Sequence, residues 1–250
     1  MKCPVTAAPT RGALSSGARW RSVPAVLFDL DGTLHDRETG LQRFARAHAD
    51  ALCADPSLRE AFCTQFLLLD DNGKVWKDRV YEQLREEFGS SAWPTTDRLV
   101  QTYLRDFPLM AVETRGASNL LRLLKRHGVQ TAVITNGRSD LQRSIINALG
   151  FDTLVEAVVI SEEVGFRKPH EEIFHIALRA LACTPADAVM IGDDPVADIE
   201  GARSVGIHPI AFRCAAGAAL ATPDLQSAGI EMLARLGGPP NNSLERSLER

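Results

Sequence analysis

The segment Val26-Leu-Phe-Asp-Leu-Asp-Gly-Thr-Leu34 sets two carboxylates, Asp29 and Asp31, two positions apart directly behind an apolar run. A short run that is apolar throughout, without alternation, reads as a strand covered on both faces, as in a parallel sheet. Residues two apart in a strand point to the same side, so both acids reach one centre if strand geometry persists to the carboxyl end. Ligands bind at that end of open α/β sheets. Two carboxylates this close do not both ionise cheaply unless a cation lies between them or one keeps its proton. The pair therefore asks for a metal, a proton-transfer role, or both; a solvated Asp-Gly turn is the plainer alternative.

Further strand-sized runs follow at 129–135 (VQTAVIT), 154–161 (LVEAVVIS), 188–193 (AVMIGD) and 207–212 (IHPIAF). Helical patterns separate them. SNLLRLLKRHG carries Leu120, Leu121 and Leu124 on one face and stops at Gly128; SDLQRSIINALG carries Leu141, Ile145 and Leu149, with Ser139 or Asp140 as the expected cap and Gly150 as the stop; HEEIFHIALRALAC carries Ile173, Ala177 and Leu181. Strand and helix in alternation predict a doubly wound, Rossmann-like α/β domain. Between about 35 and 112 there are only helical patterns, such as VWKDRVYEQLREEFG with Trp76, Val80, Leu84 and Phe88 along one side, and these predict a helical insertion.

The expected organisation is a core over 23–34 and 113–236, the insertion over 35–112, and loose tails over 1–22 and 237–250, where periodicity is lost and Gly, Pro and polar residues collect. The 250 residues are 45% hydrophobic and 24% charged, an ordinary globular composition. A formal charge of -4 offers no basic footprint for nucleic acid or an anionic membrane. The five cysteines are scattered, without metal-ligand spacing, and there is no signal-like apolar segment and no membrane-length apolar run, so a cytoplasmic protein is expected. Oligomeric state is not legible.

Three more apolar-to-polar junctions join the first. AVITNG ends a strand at Thr135, and Asn136 and Gly137 open a helix whose free N–H groups, with the hydroxyl, make an anion cradle. In GFRKPHEEIF, Pro169 is expected in the first helical turn, where it fixes the loop and aims Lys168. In MIGDDPVADIEGA, Asp193, Asp194 and Asp198 cluster behind a buried strand, a hard oxygen set suited to Mg²⁺.

In this order and spacing, DLDGT, ITNG, RKP and GDDPVAD resemble the four motifs of the haloacid dehalogenase superfamily, in its phosphatase-like branch, over roughly residues 23–212. The resemblance implies strand order 3-2-1-4-5 with a helical cap in the insertion. It implies that Asp29 is the nucleophile that becomes an aspartyl-phosphate. Asp31 would be the general acid and then base, its backbone carbonyl helping to hold Mg²⁺; Thr135 and the amide of Asn136 would bind phosphoryl oxygens. Lys168 would neutralise charge, Asp193 would complete the metal set with Asp29 and Asp31, and Asp198 would support the metal's waters or Lys168. No role follows for Asp194. The implied function is hydrolysis of a small phosphorylated metabolite, with a sugar-phosphate phosphomutase and a non-catalytic phosphate-ligand-binding protein as alternatives. Asp31 and Asp193 argue against dehalogenation. Among cap residues, His35, Asp36 and Arg37 could reach a leaving group, though a lone histidine in a loop is more often a bystander, and Arg37 and Arg79 are expected to tune specificity.

Overall fold

A computed structural model describes residues 25–89, 92–213, 221–222 and 225. The expected tails, 1–22 and 237–250, and much of the chain beyond 213 lie outside the described residues. The apolar runs become β1 (Ala25–Phe28), β2 (Gln130–Thr135), β3 (Ala157–Ile160), β4 (Ala188–Gly192) and β5 (His208–Phe212), all pairing in parallel in the order β3-β2-β1-β4-β5. A two-residue strand, β6 (Ala221–Thr222), extends the sheet beside β5 and was not foreseen, being too short to leave a periodic signal.

Between β1 and β2 lie α1 (Arg37–Leu52), α2 (Arg59–Asp70), α3 (Lys77–Phe88), α4 (Thr96–Asp106) and α5 (Ala117–Arg126). After β2 come α6 (Ser139–Ala148), then α7 (Ser161–Val164), a single turn behind β3, then α8 (Glu171–Ala180) and α9 (Gly201–Ser204), which continues a π-helical turn over Pro195–Glu200. The pleat divides β1 between two cores. Val26 and Phe28 pack with Leu120, Leu124 and the insertion's Phe44 and Phe66, while Ala25 and Leu27 face Ile173 and Phe174 of α8. This is why the strands read as continuously apolar.

The chain leaves and re-enters the sheet layer along two adjacent segments, joined by Asp36 N–H to Val112 C=O at 2.8 Å and Thr114 N–H to Leu34 C=O at 2.9 Å. Asp36, expected near a leaving group, instead caps α1 by accepting from Thr39 N–H at 3.1 Å. Neither Ser139 nor Asp140 caps α6: the Ser139 N–H donates to Glu162 of α7 at 2.7 Å, and Asp140 pairs with Arg138 at 2.6 Å. Pro169 lies ahead of α8, whose cap is His170, so it is not in the first helical turn.

Inside the insertion, Asp70 is fully buried and accepts from both Arg37 nitrogens, at 2.8 and 3.0 Å, from Gly73 N–H at 2.8 Å and from Lys77. The same acid thereby closes the α2–α3 connection and anchors the start of α1. Nearby, buried His48 stacks on Phe44, with ring centroids 4.7 Å apart, and meets the Tyr81 hydroxyl at 3.0 Å. Burial pushes its pKa from 6.5 down to about 4, with Asp106 opposing weakly.

Two outcomes follow. Asp70→Asn leaves two cations without their shared carboxylate and should cost about 3–5 kcal/mol of stability in urea unfolding. His48 should titrate near 4 by NMR. The unfolded chain binds its proton near 6.5 and the folded chain resists until about 4, so this contribution to stability is complete above 6.5 and is lost as pH falls toward 4.

Candidate active site

The carboxyl ends of β1, β2 and β4 and the wall of α1, α3 and α4 enclose a cavity of about 630 Å³ lined by, among others, Asp29, Asp31, Thr135, Asn136, Lys168 and Asp193. Every residue proposed from the sequence for chemistry or metal therefore faces one space. Asp29 carries the β1–β4 ladder one residue further, its N–H donating to Ile191 C=O at 2.9 Å, which aims the side chain out of the sheet edge. Beyond it strand geometry stops. Gly32, at φ +91°, turns the chain, and a Cβ there would strike the Asp193 carboxylate. Asp31 thus reaches the cavity through a turn rather than through strand alternation.

Lys168 is buried, and its ammonium lies 2.6 Å from Asp29 Oδ1, 2.7 Å from Asp198 Oδ1 and 2.7 Å from the Ile134 carbonyl. What aims it is Asn136. The Asn136 amide donates to Lys168 C=O at 3.0 Å and accepts from Lys168 N–H at 2.9 Å, binding the loop to the end of β2. Burial alone would lower the Lys168 pKa, but Asp198 and Asp29 outweigh it and raise it.

Carboxylate oxygens of Asp29, Asp193 and Asp198 lie within 4.8 Å of one another. Burial, the largest influence in each case, pushes all three up to about 6; Lys168 opposes it, and mutual repulsion adds to it. Three oxygen donors against one ammonium fit a hard divalent cation, whose charge would relieve this crowding. Asp198, expected only to support the metal's waters or Lys168, joins Asp29 and Asp193 in this group. Asp194, unassigned from the sequence, caps the turn over Pro195–Glu200, accepting from Val196 and Ala197 N–H at 2.8 Å each.

The Asp31 side chain turns the other way. One oxygen meets His35 Nδ1 at 2.7 Å and the other accepts from Gln142 Nε2 at 2.8 Å. Burial would raise its pKa, but the His35 hydrogen bond and charge, then Arg37 and Gln142, bring it down to about 2. The two acids are thus displaced in opposite directions, Asp29 up and Asp31 down, because the His35 ring and the Gln142 amide face Asp31 while the other acids crowd Asp29.

Gln142 is absent from the site residues expected from the sequence, and His35, expected near a leaving group or as a bystander, instead holds Asp31. His35, fully buried, returns to Asp31 through a turn in which its own N–H donates to Leu30 C=O at 2.8 Å; its position four residues behind Asp31 was the available signal. Gln142 sits in the first turn of α6 and also donates to Thr135 Oγ1 at 3.0 Å, so it joins two proposed site residues. Arg37 lines the cavity, whereas Arg79 is exposed, pairs with Glu82 at 3.1 Å and lies outside it. Trp76, just ahead of α3, lies under the Arg138 guanidinium at 5.1 Å, a cation–π contact from the insertion to the loop after β2.

Residues 23–206 match the family model for haloacid dehalogenase-like hydrolases. Among curated proteins, the chain is 31% identical over 219 residues to a glyceraldehyde 3-phosphate phosphatase of Pyrococcus furiosus, covering 77% of this chain and 82% of that one. It is 33% identical over 138 residues to a phosphoserine phosphatase of Thermus thermophilus, covering 54% and 53%. In fold it is similar to the HAD-hydrolase YfnB of Bacillus subtilis, solved bound to magnesium, with a TM-score of 0.65 and 22% identity over 86% of this chain and 99% of that one. The sheet order, the acids at its edge and the matched span agree: the chain belongs to the haloacid dehalogenase-like hydrolase family and is an enzyme of its phosphatase-like branch.

Proposed function

We propose that this enzyme hydrolyses a small phosphorylated metabolite in a Mg²⁺-dependent reaction through an aspartyl-phosphate on Asp29. One observation carries the reading: Asp29 and Asp31 share a cavity but face opposite chemical surroundings, Asp29 among Lys168, Asp193 and Asp198, Asp31 between His35 and Gln142. Such a split assigns two acids two tasks.

Asp29 attacks phosphorus, the phosphorus–oxygen ester bond breaks, and the leaving oxygen takes the proton of the Asp31 carboxyl, which is left ionised. Water activated by Asp31 then attacks the aspartyl-phosphate and frees phosphate and Asp29. Thr135, oriented by Gln142, and the backbone amide of Asn136 hold phosphoryl oxygens, and the Lys168 ammonium offsets their charge against the carboxylates. Asp29, Asp193 and the Asp31 backbone carbonyl would hold Mg²⁺ with Asp198 beside them; when bound, it neutralises the transferring group and keeps it in line. The insertion over 35–112 acts as a cap that excludes water and reads the rest of the substrate. The curated relatives are named for different phosphate esters, so specificity belongs to that cap rather than to the shared core. The cysteine pattern supports action in the cytoplasm.

Chelated protein should lose phosphate release from a small monoester and regain it with Mg²⁺; full turnover after rigorous metal removal refutes the metal dependence. Asp29→Asn should abolish turnover while leaving the fold intact by circular dichroism, since the amide keeps the shape and cannot act as nucleophile. Asp31→Asn should slow turnover by about 10²- to 10⁴-fold, more for alkyl than for activated aryl phosphates. Appearance of an isomeric phosphate ester with little free phosphate would instead identify a phosphomutase.

A further inference from the structure

The proposed mechanism employs the sheet edge of the cavity and gives its opposite wall, on the insertion, the reading of the rest of the substrate without saying what that wall recognises. That wall carries an unbalanced charge. Arg37 and Lys77 are 8% and 1% exposed, come from α1 and α3, line the same cavity as Asp29, and share one carboxylate, Asp70. Both Asp70 oxygens are already filled: Oδ1 by Arg37 and Lys77, Oδ2 by Arg37 and Gly73 N–H. Two buried cations thus answer to one anion.

Among the described residues, no second carboxylate is in contact with Arg37 or Lys77. Lys77 Nζ stands 4.8 Å from the Tyr103 ring centroid and 6.0 Å from that of Phe66, and Arg37 stands 6.0 Å from that of Phe107; these ring faces attract a cation but carry no charge. Asp31 acts on both cations from a distance and offsets part of their charge, but its two oxygens are in contact with His35 and Gln142 rather than with Arg37 or Lys77. Burial lowers the Lys77 pKa and Arg37 adds to the effect, so a further anion at this wall would be stabilised.

We infer that Arg37 and Lys77 form a recognition site for a second oxyanion, a carboxylate or a second phosphate, at the end of the substrate remote from its transferred phosphoryl group. This rests on the phosphatase reading above and narrows its substrate class to phosphate esters with two anionic ends. A hydroxyl at that end would leave the buried surplus charge in place, whereas an oxyanion discharges it and accepts from donors that Asp70 does not exhaust. The two ends of the cavity are complementary in sign: acids and their cation take the phosphoryl group, and the cationic wall takes the tail.

A series of straight-chain alkyl phosphates of graded length, ending in hydroxyl, carboxylate or phosphate, tests this with the Mg²⁺-loaded wild-type enzyme. At the best length, the carboxylate or phosphate member should exceed the hydroxyl member by about tenfold to a hundredfold in kcat/KM, chiefly through KM. Which anionic member leads identifies the class. In Lys77→Met, which keeps the one-to-one Arg37–Asp70 pair, the ratio should fall to near one, and Lys77→Arg should retain most of it. Equal kcat/KM for all three termini, or a ratio that survives in Lys77→Met, overturns the inference while leaving the phosphatase reading intact. Absence of turnover for every member would instead remove the phosphatase reading, and this inference with it. Should Lys77→Met fail to fold, the wild-type ratio alone decides.

Discussion

The Lys168 ammonium is the interaction on which the sheet edge depends. Asp29, Asp193 and Asp198 are carboxylates gathered in a partly dry space, and their repulsion opposes the approach of the strand ends that carry them. A single cation in contact with Asp29, Asp198 and the Ile134 carbonyl ties the ends of β1, β4 and β2 together. Its own position is fixed through the backbone by Asn136, so its reach does not rest on a flexible side chain alone. The arrangement still leaves an excess of negative charge, and that excess fits the edge to a cation.

The second consequence concerns the two acids of the opening segment. Their spacing brings both into one cavity, but spacing alone does not distinguish them. The distinction comes from what faces each: burial and neighbouring acids push Asp29 up, while His35, Arg37 and Gln142 hold Asp31 down. An incoming phosphoryl dianion and a divalent cation would act on this pair in opposite senses, the cation favouring the ionised Asp29 and the dianion favouring a protonated Asp31. In the proposed mechanism the division of tasks is therefore a property of the loaded site, prepared by an asymmetry that the protein alone provides.

The helical insertion repeats the device with the opposite sign. At the sheet edge, acids outnumber the lysine; at the wall of α1, α2 and α3, Arg37 and Lys77 outnumber Asp70. Two adjacent connecting segments join the layers, and the Arg138–Trp76 contact bridges them across the cavity. A substrate that satisfies both ends would draw the layers together, which links binding to exclusion of water.

Much of this was legible along the chain. Strand positions followed from uninterrupted apolar runs because both sheet faces are covered, the stops of α5 and α6 followed from Gly128 and Gly150 at positive φ, and the acids and Lys168 stood at apolar-to-polar junctions that a parallel sheet must gather on one edge. The partners of those residues were not legible. Gln142 reaches Asp31 across 111 positions of sequence, Glu162 caps α6 from another element, and Asp70 joins Arg37 to Lys77 only once three helices have packed. Periodicity and turn chemistry are local and are written in neighbouring residues. A pKa or a charge imbalance is a sum over groups that folding brings together, so the sequence by itself determined that the acids at the strand ends and Lys168 gather on one sheet edge, and the tertiary structure alone decided what each of them faces.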